Sequence, residues 1–541
     1  MLTPVGALTH EGGVFARLKY AWYAIFALAV ASIFAGLTFP YTTQMAIIKD
    51  AAQNTRAAYQ LAHTGAMSEE KVEADTPRPQ MRREPLPIVV IAAFLLLHPD
   101  FRQTYTIAEL TNGPLAETVK GVNAVWRFLA AVFVFLLCVE LFRDPPVAAV
   151  MAVICLIVSE PLFFAQPGIV DRMYTELPEA ALMLLAAWCA VRFVRIGSKL
   201  GALGLGIGLG LLALTKVSFF YIGLCFIAML LATDRSTRFQ VSPQGRRWGR
   251  FLSTYAVIVL AMVATVAPWV VRNYVTFGNP QIASGTEASV LGTRMLLMEQ
   301  PLLGQFYLYS PSSFRTRLVG PLTGFTKEDL NVGGRLEQAA SVKENKWTIL
   351  AERMQAEGYQ GDSQKWIKHA ILNYAVQKPL RYIESIGVFA YKGMWFMRDG
   401  GWLFNLVALA CFFGLFVGAL VTRRQELVAA FGLPVGLFAF VSTFTHALTR
   451  YNAAMTPFVI ISVLWLIAVL ARKAYLGSRG IEISSTPSKL GSGKHLIPSL
   501  SPPLGQKRNP TWGLYPRSLK LLFALNKNED LINKKFDAEG R

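Results

Sequence analysis

The sequence has little charge and few cysteines for its length. Only 16% of its 541 residues are charged and 53% are hydrophobic, whereas a soluble domain carries roughly 25% charged residues. This composition excludes a water-soluble globular protein. The five cysteines lie inside apolar runs, and the sequence has no CxxC or mixed Cys/His ligand spacing. It therefore suggests neither a zinc knuckle nor a disulfide framework.

The sequence also lacks any recognised nucleic-acid-binding motif, although its formal net charge is +19. In a membrane protein, an excess of Lys and Arg is the usual mark of cytoplasmic loops and sets the orientation of the chain. We therefore expect membrane lipids among its partners and no nucleic acid.

What the sequence does contain is long apolar runs, such as 24–37 and 251–267. These approach the roughly 20 residues that span a bilayer. The first run is too long for a signal-peptide core and has no small-residue cleavage site, so we interpret it as a retained helix. The sequence predicts an all-α polytopic membrane protein. Its ten predicted spans are 20–39, 124–142, 147–165, 177–194, 200–214, 217–232, 251–271, 401–421, 426–444 and 453–471.

Basic clusters between these spans predict the orientation. They occur at Arg192/Arg195/Lys199, Arg235–Arg250, Arg423/Arg424 and Arg472/Lys473, and strict alternation places all four on the cytoplasmic side. The predicted organisation is a cytoplasmic N-terminus (1–19), an N-terminal transmembrane module (20–271) with a long outer loop (40–123), an outer segment (272–400), C-terminal transmembrane helices (401–471) and a basic, mostly disordered cytoplasmic tail (472–541).

The apolar segment 86–98 needs a separate assignment. Counting it as a span would reverse every later loop and place the basic clusters outside. At about 13 residues it suits an interfacial or re-entrant helix. The outer segment 272–400 is long and mostly polar, and its aromatic residues fit helices, so we expect a small, mainly helical outer domain.

Several carboxylates fall on the predicted outer side, close to the membrane boundary. A carboxylate near hydrocarbon is costly, so its presence there suggests a functional site. We favour a functional role for Asp50 and Glu176, with Glu84 and Asp171 as further candidates. Glu179 is interpreted as a helix-start residue, where negative charge is favourable.

Cations on the same predicted side complement these acids. Lys216, Arg272 and Arg450 oppose the positive-inside trend, and His446 and Tyr451 lie in the same short link as Arg450. An anionic partner such as a lipid-carried phosphate or diphosphate would suit them, because Arg binds phosphate oxygens bidentately. Snorkelling explains one such cation easily and three poorly.

These residues lie in motifs that resemble a known family. The stretch APWVVRNYVTFGNP resembles the "PW..RNY..FG.P" element of the GT-C membrane glycosyltransferases, in the branch typified by protein O-mannosyltransferases and the lipid A aminoarabinose transferase. Asp50, Tyr59 and Gly65 resemble the first-loop acidic motif. REPLP, the GVNAVWRF helix, YTELPEAALML, LTK and RY follow in the family's order over 20–471. Two features depart from the pattern: Thr175–Glu176 replaces Thr-Asp, and Asp50 lacks an adjacent second acid.

The resemblance implies a GT-C-like bundle that transfers a sugar from a polyprenyl-phosphate donor to a glycan, lipid or protein acceptor. The reaction would be a single inverting displacement, in the cytoplasmic membrane, with the active site facing the periplasm or exterior. Asp50 would be the base, with Glu176 second, and Lys216, Arg272 and Arg450 would hold the donor phosphate. No cofactor is certain; a divalent metal is possible, although three cations favour a metal-free route.

Two other classes remain open. A transporter would predict internal repeats and paired broken helices near the midplane, and the sequence shows no repeat. A non-catalytic carrier or scaffold of envelope polysaccharide assembly would keep the fold without needing Asp50. The glycine run at 204–210 predicts close helix packing inside a span rather than a phosphate-binding loop.

Overall fold

The chain folds into helices joined by short links. The computed structural model shows helix as the sole regular secondary structure of the residues it describes. The chain divides into two units, Met1–Val463 and Leu464–Arg541, and the second is described only over a helix reaching Ser478. The described residues are 25–26, 28–37, 46–70, 76–98, 100–101, 105–159, 173–233, 246–284, 287–396, 401–445 and 449–478.

Eleven described helices make up the N-terminal half, and we number them in chain order. They are α1 (Leu28–Leu37), α2 (Lys49–Thr64), α3 (Pro85–Leu96), α4 (Ile107–Asn112), α5 (Ala116–Lys120), α6 (Val122–Phe142), α7 (Pro145–Val158), α8 (Glu176–Ile196), α9 (Lys199–Thr215), α10 (Ser218–Thr233) and α11 (Arg246–Phe277).

The C-terminal half continues with eight further helices. Short helical turns occupy 312–330, between the second and third of them, and a 3₁₀ helix spans Thr449–Met455 before the last. These helices are α12 (Glu287–Met298), α13 (Leu302–Tyr309), α14 (Glu337–Ala356), α15 (Ser363–Gln377), α16 (Pro379–Met394), α17 (Trp402–Val421), α18 (Gln425–Phe444) and α19 (Thr456–Ser478).

Among the described residues, six helical stretches are long and apolar enough to cross a membrane, so the chain is a multi-pass helical membrane protein. The remaining four predicted spans overlap the shorter apolar helices α1, α7, α9 and α10, and the predicted interfacial segment overlaps α3. The six long stretches are Ala116–Phe142, Glu176–Ile196, Ser253–Phe277, Trp402–Val421, Gln425–Phe444 and Arg450–Tyr475.

Two predicted spans end too early. The span 251–271 continues to Phe277, with Pro268 inside the helix, and stops at Gly278, whose φ of +67° is left-handed and suits glycine. The last span continues past Arg472 to Ser478. In both cases the polar residues beyond the apolar run remain helical, because hydropathy marks the end of hydrocarbon contact and not the end of backbone hydrogen bonding.

Helix α8 lies at the centre of the bundle and packs against α6, α9 and α18. The glycines of α9 allow α11 to pack very closely. A Cβ on Gly210 would lie 2.5 Å from the Thr265 Cβ, and one on Gly206 would collide with the Ile258 carbonyl oxygen. The prediction of a packing glycine run is confirmed.

Candidate functional site

Charged side chains from widely separated parts of the chain meet at the N-terminal end of α8. Glu176 is the first residue of α8, and Asp50 lies in the first turn of α2. Lys216 follows the last residue of α9, and Arg450 lies in the 3₁₀ helix before α19. Ion pairs and ring contacts join them into one group, which we call the charge cluster.

Asp50 is held between two guanidinium groups. Arg83 donates to its Oδ1 over 2.8 Å and Arg450 to its Oδ2 over 3.1 Å, while Arg83 also donates to Gln53. Burial alone would raise the pKa of Asp50, but Arg83 and Arg450 outweigh that effect and lower it. The carboxylate is therefore ionised, and its side chain remains 45% exposed.

Arg450 is shared between two acids and two aromatic rings. Its guanidinium lies 4.0 Å from the centre of the Tyr174 ring and 5.5 Å from that of Tyr451, and its Nε is 3.6 Å from Glu176 Oε1. The Glu176 side chain is 2% exposed. Its Oε2 is buried and has no hydrogen-bond partner within the described part of the chain. A buried polar atom without a partner is costly, so this oxygen can accept a ligand's hydrogen bond.

Lys216 and Glu179 form a second, more enclosed pair. The Lys216 Nζ lies 3.1 and 3.3 Å from the two Glu179 oxygens, and Thr175 Oγ1 donates to Glu179 Oε1 over 2.9 Å. Burial lowers the pKa of Lys216, but Glu179 and Glu176 outweigh it and raise the pKa, so Lys216 is cationic. Glu179 lies in the first turn of α8, as predicted, but its side chain is 0% exposed and its main partner is the Lys216 side chain.

Glu84 lies at the edge of the charge cluster, at the N-cap of α3, where its side chain makes no capping hydrogen bond. Burial raises its pKa, while its own backbone N–H, Arg83 and Lys216 oppose that rise. Glu84 is thus within electrostatic reach of Arg83 and Lys216 without a direct bond to either.

The PW..RN element folds the chain after α11 back onto that helix. Trp269 Nε1 donates to the Ile282 carbonyl over 3.0 Å. Asn273 Nδ2 donates to the carbonyls of Gln281 and Ile282 over 2.6 and 3.1 Å. Trp269 and Asn273 of this element therefore hold the segment 279–284 against α11, and we call these three hydrogen bonds the clasp.

That segment in turn holds the first loop. Ser284 N donates to the Met81 carbonyl over 2.9 Å, and the Arg272 guanidinium donates to the Gln80 carbonyl over 3.4 Å and to Asn273 Oδ1 over 2.7 Å. These bonds fix the backbone directly before Arg83. Within the described residues Arg272 has no ion pair. It lies beside the charge cluster and bonds the loop that supplies Arg83.

The structure brings together Asp50, Glu176, Lys216, Arg450 and Tyr451, with Glu84 near them. Asp171 and His446 lie outside the described residues. Sequence reasoning missed Arg83, Tyr174 and the role of Glu179. Two of these had a signal, since Arg83 precedes Glu84 in RREPLP and Tyr174 precedes Thr175–Glu176 in the second acidic motif.

The described residues do not form a ligand set for a divalent metal. They contain no group of three or more His, Cys, Asp or Glu side chains positioned to hold an ion. Both oxygens of Asp50 accept from guanidinium groups instead. We therefore assign no step to a metal.

Comparisons with known proteins give a likeness at the level of structure. No protein-family model matches the sequence, and no curated protein matches it. The archaeal oligosaccharyltransferase AglB from Archaeoglobus fulgidus, solved with an inhibitory peptide and a dolichol-phosphate, superposes with a TM-score of 0.43 and 13% sequence identity. The superposition covers 87% of this chain and 53% of that one, so the chain spans about half the length of the solved structure.

Proposed function

We propose that this chain is a GT-C membrane glycosyltransferase of the protein O-mannosyltransferase and aminoarabinose transferase branch. It transfers a sugar from a polyprenyl-phosphate donor to an acceptor on the outer face of the membrane. One observation carries the proposal: a half-exposed carboxylate, Asp50, shares the Arg450 guanidinium with the buried carboxylate of Glu176.

Arg450 is the principal ligand of the donor phosphate. A guanidinium presents five N–H donors in a planar fork, and only part of this fork is used by Asp50 at 3.1 Å. Lys216 adds a second positive charge, which Glu179 fixes in place and Tyr451 covers at 4.6 Å from its ring centre. The apolar helices beside the cluster take the polyprenyl chain.

Asp50 is the general base, because it is the acid that an acceptor can reach. Its side chain is 45% exposed, whereas that of Glu176 is 2% exposed. Its pKa is lowered in the free protein, which makes it ionised but weakly basic. A phosphate bound to Arg450 competes for that guanidinium and adds negative charge, and both effects raise the pKa of Asp50 when the donor is present.

The proposed displacement takes place in one step. The acceptor oxygen forms a bond to the anomeric carbon as its proton passes to Asp50. The bond from the anomeric carbon to the phosphate oxygen breaks, and its electron pair leaves with the lipid phosphate. Arg450 and Lys216 stabilise the charge that develops there, which is often the largest contribution to catalysis. Attack from the opposite side inverts the anomeric configuration.

A carrier or scaffold is the alternative from another class. The same cations would bind a lipid phosphate. The ionised Asp50 carboxylate would then serve only to hold Arg450 and Arg83 in place through its two ion pairs. This alternative predicts binding of polyprenyl phosphate without transfer.

Asp50→Asn tests the proposal. In membranes supplied with polyprenyl-phosphate sugars, we expect transfer to fall about 10²- to 10⁴-fold, the usual contribution of a general base, while polyprenyl-phosphate binding persists. Glu140→Gln is the matched control and should retain transfer, because Glu140 lies in α6 and pairs with Arg195 at the opposite end of α8. If the Asp50 variant retains transfer, the assignment of Asp50 as the general base is refuted. Binding with no transfer from any donor, even by the wild type, supports the carrier.

The predicted outer position needs its own test. Thr64 and Arg423 are exposed and lie on opposite sides in the predicted topology. In a background without native cysteines, Thr64→Cys should react with a membrane-impermeant thiol reagent in intact cells, and Arg423→Cys should react only after lysis. The reverse pattern would place the charge cluster in the cytoplasm.

A further inference from the structure

Arg294 in α12 is a buried cation outside the charge cluster. Arg294 is 0% exposed, and no carboxylate within the described part of the chain pairs with it. Taking a charge out of water is expensive, and hydrogen bonds offset part of that cost. Both Nη atoms of Arg294 make such bonds, while its Nε has none within the described residues. Its partners therefore show what the cation is used for.

The partners of Arg294 are mainly the last carbonyls of α18. Its Nη1 donates to the carbonyl oxygens of Ser442 over 2.8 Å and Thr445 over 2.6 Å, and its Nη2 donates to Ser385 Oγ over 2.8 Å. The final carbonyls of a helix have no partner inside the helix, and a cation there also opposes the negative end of the helix dipole. Arg294 thus fixes the point at which α18 ends.

Helix α16 strengthens this anchor. The Arg294 guanidinium lies 4.8 Å from the ring centre of Tyr382 and 4.5 Å from that of Phe389. The Tyr382 hydroxyl donates to the Thr443 carbonyl over 2.8 Å, so a third carbonyl of the same helix end is held. Ser385 Oγ donates to the Tyr382 carbonyl over 2.6 Å, which fixes the hydroxyl that receives Nη2.

The same helix α16 holds the chain again beyond Arg450. Asn452 is 0% exposed, and its Nδ2 donates to the Gly393 carbonyl over 2.9 Å. A Cβ on Gly393 would lie 2.6 Å from that Nδ2, so the contact requires glycine. Arg450 therefore lies between two anchors, at Thr445 and Asn452, that both rest on α16.

We propose that Arg294 is a positioning residue for Arg450. It fixes the start of the link 445–452 while Asn452 and Gly393 fix its end, and together they hold the Arg450 guanidinium against Asp50 and Glu176. The effect on transfer rests on the proposed function; the effect on the link does not. A helix end held only by packing would not need this charge, because apolar side chains of similar volume are often as stable as buried ions.

The test compares Arg294→Met with Arg315→Met. Arg315 is a matched control, because it also donates to carbonyls at a helix end, those of Leu308 and Ser310 over 2.8 and 2.9 Å, yet that helix does not lead to the charge cluster. We expect Arg294→Met to speed amide hydrogen exchange in 449–455 about tenfold or more, since it removes charge-assisted hydrogen bonds. Arg315→Met should leave that segment unchanged.

A double-variant cycle supplies the second readout. Misplacing a group by about 1 Å can cost about 10²-fold in rate, so Arg294→Met should lower kcat/KM for the donor by that order, and Arg294→Lys should restore part of it. In an Arg450→Met background Arg294→Met should cause no further loss. Full additivity of the two losses, or unchanged exchange in 449–455, overturns the positioning role.

The two proposals fail in different ways. If the wild type transfers no sugar while Arg294→Met still speeds exchange in 449–455, the proposed function fails and the positioning role stands. If Arg294→Met does not fold, Gly393→Ala replaces it, because the added methyl displaces Asn452 at the other anchor. That variant should also speed exchange in 449–455 and lower kcat/KM, and normal values for both would overturn the inference.

Discussion

The two ends of α8 are both rich in ion pairs, and they are built differently. At the C-terminal end, Arg195 bonds Glu140 over 2.6 Å, and nearby Arg143 bonds both oxygens of Glu426 over 2.8 and 2.9 Å. These pairs hold helix ends together. At the N-terminal end, roughly 30 Å away for a helix of this length, Arg450 is shared between two acids, and one Glu176 oxygen has no hydrogen-bond partner among the residues that the structure describes.

This difference separates a structural ion pair from a candidate site. A carboxylate whose oxygens are already paired with guanidinium groups, such as Glu140 or Glu426, gains little from a new ligand, because binding would have to break those contacts. A shared guanidinium and a free, buried carboxylate oxygen gain hydrogen bonds when a ligand arrives. The first two predictions below contrast matched residues at the two ends, and the other two test the surroundings of Asp50.

Among the comparisons of the two ends, the largest effect is expected from Arg450→Met. It removes the cation that is proposed to stabilise the leaving phosphate, and loss of one such donor typically costs about 10²- to 10³-fold in rate. The measurement is kcat/KM for a polyprenyl-phosphate sugar. Arg195→Met at the opposite end should change kcat/KM less than about threefold, and equal losses in both variants would remove the distinction between the two ends.

A charge-to-apolar exchange should separate stability from activity. Breaking one partner of a buried pair destabilises by about 3–5 kcal/mol, whereas replacing both partners with apolar residues is often neutral. Lys216→Leu/Glu179→Leu should therefore unfold near the wild-type temperature yet lose transfer. Arg143→Leu/Glu426→Leu should keep both. Transfer retained by the Lys216/Glu179 pair variant would show that this pair is structural.

The pH dependence should reveal the guanidinium groups around Asp50. Because Arg83 and Arg450 lower the pKa of Asp50, the base stays ionised below its ordinary range, and kcat/KM should fall only at strongly acid pH. Arg83→Gln removes one lowering influence, so the pKa rises and the acid limb moves to higher pH. Arg82→Gln is the neighbouring control, and an identical shift in both variants would point to general charge loss.

The smallest effect is expected from Trp269→Phe. It removes one hydrogen bond, to the Ile282 carbonyl, and should cost about 1 kcal/mol of stability. The first loop should loosen, so protease cleavage near residues 76–84 should accelerate while kcat/KM falls only a few-fold. Trp347→Phe, on an exposed residue of α14, should leave cleavage unchanged.

Much of the site could be predicted because helix alternation decides which ends share a side. The side shared by Asp50, Glu176, Lys216 and Arg450 followed from counting spans. The structure places Arg450 against Asp50 and Glu176, and Lys216 is joined to Arg450 through the Tyr451 ring. Their exact partners could not be predicted. Arg83 meets Asp50 only because the clasp on 279–284 positions the loop, and this contact between distant segments has no periodic signal in the sequence.

The fold shows the same division between local and tertiary information. Long apolar runs predicted the helices well, since hydropathy is a local property. Helix α2 was missed inside the loop 40–123, because its buried face is made largely of small residues such as Ala51, Ala57 and Ala58, which give no strong apolar stripe. Glu179 does lie at a helix start, but its fully buried pairing could not be foreseen because it depends on Lys216, which follows another helix.

The glycine face of α9 has a consequence for how a lipid reaches the site. At Gly206 and Gly210 the backbones of α9 and α11 approach so closely that even a methyl group would collide. A polyprenyl chain is wider than a methyl group and cannot pass between the two helices at these positions. The lipid-linked donor of the proposed reaction would therefore have to enter along another side of the bundle. Changing Gly206 to a larger residue would force α9 and α11 apart. Any path for the lipid opened in this way would require both helices to lose their packing.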